Sequence, residues 1–162
     1  MLIILFGLSG SGKNFVGEIL AKEFHFHYWD ADSVLPFDMR QAIVDQEFFT
    51  EEMRDHFTAN VIEHIVTLKA QHQHLVVSQA LYKEKNRLQI YSVFSDVVFL
   101  HIQATWENIT ARLKKRQGGI SYDYAQKISN LFEKPSLPHK AIINNTDRMA
   151  IISQLQFELK LR

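Results

Sequence analysis

The sequence predicts a three-layer α/β fold, with a parallel sheet enclosed between helices on both faces. Two observations carry that expectation. Five short apolar runs alternate with helix-period segments along the chain, the pattern of right-handed βαβ units. The first run, Leu2-Ile3-Ile4-Leu5-Phe6, passes directly into Gly7-Leu8-Ser9-Gly10-Ser11-Gly12-Lys13-Asn14, and a helical pattern follows at Phe15, Ile19, Leu20 and Phe24. Strand, glycine-rich turn, helix is the context that a phosphate-binding loop requires.

Strand 1, Leu2–Phe6, is apolar throughout, as a central parallel strand covered on both faces must be. The glycines after it let the backbone curl so that N–H groups point at phosphate oxygens, and the next helix adds its positive end. Lys13 can then reach the outer phosphates as a point charge. That helix is expected over Lys13–Glu23, and Phe24–Trp29 reads as strand 2, closing on Asp30-Ala31-Asp32-Ser33. Pro36 breaks the chain before two helical segments, Asp38–Gln46 and Thr50–Gln71, the second with Thr50 as N-cap and acidic residues in its first turn. Leu75–Ser78 is strand 3, Lys83–Val93 a helix, and Val97–Ile102 strand 4. Thr105 caps a helix carrying Arg112, Lys114, Lys115 and Arg116. Gln117–Ser121 interrupts it and Tyr122–Phe132 resumes. After a loop bracketed by Pro135 and Pro138 come strand 5, Ala141–Ile143, and a closing helix, Arg148–Leu161. No linker or repeat divides residues 1–162, so a single domain is expected. Ligands of such sheets sit beyond the carboxyl ends of the strands, which gathers Gly7–Asn14, Asp30–Ser33, Ser78–Leu81 and Asn144–Asp147 around one crevice.

Composition narrows the function classes. A chain of 162 residues can bury roughly 70% of its unfolded surface without staples. Lys plus Arg equal Asp plus Glu at 18 each, which argues against a polyanion-coating or nucleic-acid role. The absence of cysteine excludes disulfides and thiolate metal sites, and fits a reducing compartment. No apolar run reaches the ~20 residues of a membrane helix, and Met1–Leu8 lacks a basic leader. A soluble cytoplasmic protein is expected, monomeric or homodimeric, with no nucleic-acid or membrane partner.

Several residues can carry chemistry. Asp30 and Asp32 alternate at the end of strand 2: one carboxylate could hold Mg²⁺ through water, and Asp32 is the candidate base for a hydroxyl, although capping and turn formation are common uses of Asp. Arg112 and Arg116 share a helical face beside Gly118-Gly119, either as a mobile lid (about 112–122) over transferring phosphates or as a solvated helix end. Arg40, Arg54 and Arg87 lie on the segments facing the acceptor side, where helices over about 36–72 are expected. They could grip an oxyanion or form surface ion pairs. His56, Asn60 and His64 recur on one helix face, and His25 alternates with His27, but neither set has supporting carboxylates, so no transition-metal site is expected. One position departs from the loop motif. Asn14 stands where Ser or Thr would offer a hydroxyl to Mg²⁺.

Taken together, the chain resembles the small P-loop kinases, and looks closest to the gluconate kinase and shikimate kinase group. Gly7–Lys13 matches the phosphate loop and Asp30-Ala31-Asp32 the Asp-x-Asp after strand 2. Val76-Val77-Ser78-Gln79-Ala80-Leu81 resembles the Cys-Ser-Ala-Leu segment, Arg112–Gly119 the Arg-Leu-x-x-Arg-x-Gly lid, and Phe132-Glu133-Lys134-Pro135 the Glu-x-Leu-x-x-Pro neighbourhood. The resemblance implies a P-loop nucleoside-triphosphate-hydrolase-like fold with sheet order 2-3-1-4-5, ATP as donor, Mg²⁺, and a small hydroxylated acceptor such as a sugar acid. It implies that Lys13 stabilises the transferring phosphoryl group, that Asp32 orients or deprotonates the hydroxyl, that Arg112 packs near the adenine and that Arg116 closes on the phosphates. Nucleotide contacts are expected from Gly7, Ser9, Gly10, Ser11, Gly12, Lys13, Asn14, Phe15 and Arg112, metal contacts from Asn14 and Asp30, and acceptor contacts from Asp32, Arg40, Arg54 and Arg87. The family's His-Pro after the Asp pair is here Leu35-Pro36. A nucleoside or nucleotide kinase is the alternative within this chemistry. A nucleotide-binding protein without phosphotransferase activity, its metal ligand lost at Asn14, is the alternative outside it.

Overall fold

A computed structural model describes residues 1–161. Five parallel strands form one sheet in the order β2-β3-β1-β4-β5: β1 (Leu2–Phe6), β2 (His27–Asp30), β3 (Leu75–Ser78), β4 (Val97–Gln103) and β5 (Lys140–Ile143). Seven helices accompany them: α1 (Lys13–Phe24), α2 (Phe37–Val44), α3 (Glu51–Gln71), α4 (Glu84–Val93), α5 (Trp106–Lys115), α6 (Tyr122–Ser129) and α7 (Arg148–Leu159). The expected strand order and α/β class are both found.

β1 is the axis: all five of its residues are buried and it lies at the centre of the sheet order. Side chains alternate across a strand, so Leu2, Ile4 and Phe6 enter one layer with Phe57, Val61 and Ile65 of α3 and Ile90 of α4. Ile3 and Leu5 enter the other, against Val16, Ile19 and Leu20 of α1 and Ile151 and Leu155 of α7. Truncating any of these to Ala removes about 2–5 kcal/mol. A third, smaller group joins α5 to α6 through Ile109, Leu113 and Ala125.

The expected strand 2 is three residues too long at its start. Phe24 still belongs to α1, and His25 takes a left-handed conformation (φ 60°) as its C-cap. Its N–H and that of Phe26 turn back to the Leu20 carbonyl, so the helix end consumes residues that read as strand. After Asp30 the chain turns through a 3₁₀ segment, Ala31–Val34, capped by the Asp30 side chain on Asp32 N–H (3.0 Å). The helix expected to run to Phe132 ends at Ser129, and Phe132 instead stacks on His101 (5.3 Å between centroids).

Register decides what meets at the carboxyl edge. Asp30 pairs with Ser78, and Ser78 with Leu5. The ends of β2, β3 and β1 are therefore level, and the loop after β1 opens directly above the Asp30–Ser78 pair.

His101 of β4 stacks on Phe6 (4.8 Å) and Phe132. Burial, with His139, Arg87 and Lys13 nearby, pushes its pKa down from 6.5 to about 4. The folded state thus binds fewer protons there than the unfolded state, and stability falls as pH drops from 6.5 towards 4. Urea midpoints measured across this window should fall with acid, and the fall should be shallower in His101→Phe.

Candidate active site

In the loop between β1 and α1 the carbonyls are bonded to the protein while part of the amides are not. Ser11 N–H bonds back to Leu8 O and Ser9 N–H donates to the Tyr82 hydroxyl (3.1 Å). The amides of Gly10 and Gly12 have no acceptor among the described residues, and the buried Ser11 Oγ has none either. These atoms are what a phosphate would satisfy. Lys13 Nζ donates to Gly7 O (3.1 Å) and Leu8 O (3.0 Å), and Arg112 donates to Gly10 O (3.3 Å) and Ser11 O (3.2 Å). Asn144 Nδ2 also reaches Ser11 O (2.9 Å), while Arg112 holds the Asn144 carbonyl (2.6 Å). Gly12 (φ 91°) cannot be replaced here, since a Cβ would fall 2.0 Å from Asn144 Nδ2.

A single cleft of about 880 Å³ holds Lys13, Asn14, Asp30, Asp32, Arg40, Arg54, Arg112 and Arg116 on its walls. Burial overrides the pull of Asp32 and Asp30 and pushes the Lys13 amine down to about 8. Burial, then the Asp30 charge, raises the Asp32 carboxyl against the opposing effects of Lys13 and Arg116. Asp32 and Lys13 thus line one cleft, each shifting the other's titration. Arg116 caps the end of α5 beside Gly119, whose left-handed conformation (φ 76°) turns the chain around the guanidinium.

Asn14 is bound into a chain of side chains. Its Nδ2 donates to Asp30 Oδ2 (2.9 Å), its Oδ1 accepts from Ser78 Oγ (3.2 Å), and Ser78 meets the Tyr28 hydroxyl (2.9 Å). The carboxamide thus presents its donor, not its oxygen, to the carboxylate. Among the described residues no group of three His, Asp or Glu could hold a metal ion. The oxygens of Asp30, Asp32 and Asn14 nevertheless suit Mg²⁺, which takes one or two carboxylates and completes its shell with water and phosphate.

Four expected contacts are not on the cleft walls: Gly7 and Ser11 of the loop, Phe15 and Arg87. Phe15 of α1 is exposed and lies off its walls. Arg87 is a correction: it is fully buried, with Nε on Glu84 Oε2 (2.6 Å), Nη1 on Leu81 O (3.1 Å) and Nη2 on Glu133 O (2.6 Å), between the rings of Phe6 and Phe132. It cannot hold an acceptor. Burial would raise the Glu84 carboxyl, but bonds from Ser136, Leu137 and Arg87 hold it at about 2. Two of the candidate histidines are stacked, His27 on His72 (3.7 Å) and His64 on Trp29 (5.3 Å). Sequence reasoning did not single out Tyr28 or the loop support from Asn144, whose partners are distant in the chain.

The shikimate kinase family model matches residues 9–156. The chain belongs to that family. A curated protein of Xenopus tropicalis described as "Probable gluconokinase" is 25% identical over 177 residues, covering 98% of this chain and 93% of its own. Among solved structures, a sugar kinase from Janibacter sp. HTCC2649 aligns with TM-score 0.85 at 20% identity, over 99% of this chain and 94% of the other. A gluconokinase from Sinorhizobium meliloti 1021 aligns with TM-score 0.81 at 20% identity (98% and 90%), and a shikimate kinase from Aquifex aeolicus with 0.62 at 15% (99% and 96%). These likenesses show the P-loop kinase fold, and family membership makes the chain a nucleotide-using kinase that transfers phosphate to a hydroxyl of a small metabolite. No helix among the described residues is long and apolar enough to cross a membrane.

Two outcomes follow from this geometry. Arg87→Met removes the donors of Glu84 Oε2, Leu81 O and Glu133 O and should cost about 3–5 kcal/mol in urea unfolding. Asn14→Ser restores a hydroxyl ligand and frees Asp30. Calorimetric titration of an ATP analogue, with Mg²⁺ against EDTA, should show the metal-dependent gain in affinity rise about tenfold.

Proposed function

We propose that this protein phosphorylates a hydroxyl of a small anionic metabolite, a sugar acid or similar hydroxy acid, with ATP as donor. The observation that carries this reading is the meeting of Asp32, Lys13 and Arg116 on the walls of one cleft, with the uncommitted Arg54 on the acceptor wall. Gly7–Asn14 cradles the triphosphate through loop amides and the Ser11 hydroxyl. Lys13 leaves the loop carbonyls to follow the charge of the transferring group. Asp32 accepts the acceptor's proton as that oxygen bonds to the γ-phosphorus and the bridging oxygen leaves with ADP. Arg116, on the hinge next to Gly118-Gly119, closes on the phosphates and excludes water. Mg²⁺, held by Asp30 and Asp32 mainly through water, would supply positive charge to the phosphates. Arg54 and Arg40 grip the acceptor's anionic end.

The reading in which nucleotide binds without transfer has Asn14 in its favour but leaves no task for the raised carboxyl of Asp32. With MgATP and a matched acceptor, Lys13→Ala should lower kcat by about 10²–10³ and Asp32→Asn by about 10²–10⁴, the latter with its melting temperature unchanged. The kcat/KM for ATP should fall as pH rises through about 8, where the free enzyme's Lys13 loses its proton. Binding of ATP with no acceptor-dependent ADP formation over a broad panel would sink the kinase proposal.

A further inference from the structure

Tyr28 and Ser78 lie off the cleft walls, yet both are tied to the residue that departs from the loop motif. Side chains two residues apart on a strand share a face. Tyr28 and Asp30 of β2 therefore point the same way, and Ser78 of β3 is the register partner of Asp30. That face is the one covered by α1, where the Tyr28 ring packs in the layer of Val16, Ile19 and Leu20. Asn14, in the first turn of α1, meets both Asp30 and Ser78 there.

The direction of each hydrogen bond in this group is forced. A carboxylate only accepts, so Asn14 must give Asp30 its nitrogen (2.9 Å) and keep its oxygen for Ser78 (3.2 Å). An amide oxygen also only accepts, so the one Ser78 proton goes to it. The Tyr28 hydroxyl, 2.9 Å from Ser78 Oγ, is then the donor of that pair. The chain runs one way, from Tyr28 to Ser78 to Asn14 to Asp30. Ser78 is buried and Asn14 exposed, so the anchored end is in the sheet and these bonds, not packing, orient the carboxamide. Turning its oxygen to the cleft breaks two bonds, one to Ser78 and one to Asp30.

α1 is itself fitted to this arrangement. Glycine inside a helix is destabilising relative to alanine. At Gly17 a Cβ would fall 2.4 Å from Tyr28 Cε2, so the helix accommodates the ring only with glycine.

We infer that Ser78 and Tyr28 are positioning residues for the metal side of the site: by holding the Asn14 carboxamide with its nitrogen on Asp30, they make residue 14 a clamp on that carboxylate and keep its oxygen from serving as a metal ligand. Both act through Asn14. The inference rests on the kinase reading above only in taking MgATP as the donor.

The test is a mutant cycle read by binding. Calorimetric titration of the full chain with a non-hydrolysable ATP analogue, in Mg²⁺ and in EDTA, gives the metal-dependent gain in affinity, and melting temperatures check the fold of each variant. In Ser78→Ala only the bond to Asp30 opposes turning of the Asn14 amide, so the gain should rise about fivefold, the scale of one hydrogen bond. Tyr28→Phe keeps the ring and removes the donor that orients the Ser78 proton, and should raise the gain by a smaller factor. Repeated in the Asn14→Ser background, both substitutions should leave the gain unchanged, because no carboxamide is there to turn. A residue that merely supports the fold would change the gain alike in both backgrounds. That result overturns the inference, as does a gain that stays level or falls in Ser78→Ala. If Ser78→Ala melts below the assay temperature, Tyr28→Phe decides by the same comparison: a rise beside Asn14 and none in the Asn14→Ser background upholds the inference, and any other result overturns it. Acceptor-dependent ADP formation is followed in the same samples. Its absence defeats the kinase reading and leaves the inference to the binding cycle, which needs no turnover.

Discussion

A loop that offers its amides to a ligand must leave its carbonyls facing the protein, and buried carbonyls need donors. That constraint governs this molecule. Lys13 takes the carbonyls of Gly7 and Leu8, Arg112 those of Gly10 and Ser11, and Asn144 shares Ser11. The donors come from α1, from the end of α5 and from the residue after β5. The loop is therefore shaped only once β1, β4 and β5 are side by side. The same bonds keep Lys13 close to the phosphate position without a ligand, where burial holds its pKa at about 8.

Asn14 extends this order to the edge of the sheet. A hydroxyl at that position would be short and would leave Asp30 free. The longer carboxamide bridges Asp30 to Ser78, and through Ser78 reaches Tyr28, whose ring fills the space a Cβ on Gly17 would need. The level ends of β2 and β3 make this bridge possible, since Asp30 and Ser78 are register partners. Asp30 is then anchored on both oxygens, by Asn14 and by Asp32 N–H, and Asp32 is the carboxylate that faces the cleft unbonded.

On the opposite side Arg87 does for the acceptor wall what Arg112 does for the loop. It ties the turn after β3 to the segment after α6 through Leu81 O, Glu133 O and Glu84. Glu84 in turn holds Ser136 and Leu137. These charges are spent on the frame, whereas Arg40, Arg54 and Arg116 on the cleft walls take part in none of the ion pairs among the described residues.

The strand–loop–helix signature at Leu2–Asn14, the alternation of strands and helices, and the gathering of Gly7–Asn14, Asp30–Ser33 and Ser78–Leu81 at one edge were legible in the sequence because each depends on local pattern. Asp32, Lys13 and Arg116 also line one cleft, the first at the end of a strand and the others on helices beside it. Three things were decided only in three dimensions. His25 took the left-handed cap, so β2 began at His27, a choice set by the carbonyls at the end of α1. Arg87 went to the core rather than the acceptor, because its partners are backbone carbonyls 6 and 46 residues away in sequence. Asn14 turned its amide nitrogen to Asp30, which no motif could state, because the bond depends on the register of β2 against β3. Residue type and spacing determined which chemistry is present, while the packing of strands distant in sequence determined which of those groups is committed to the frame and which is left for a substrate.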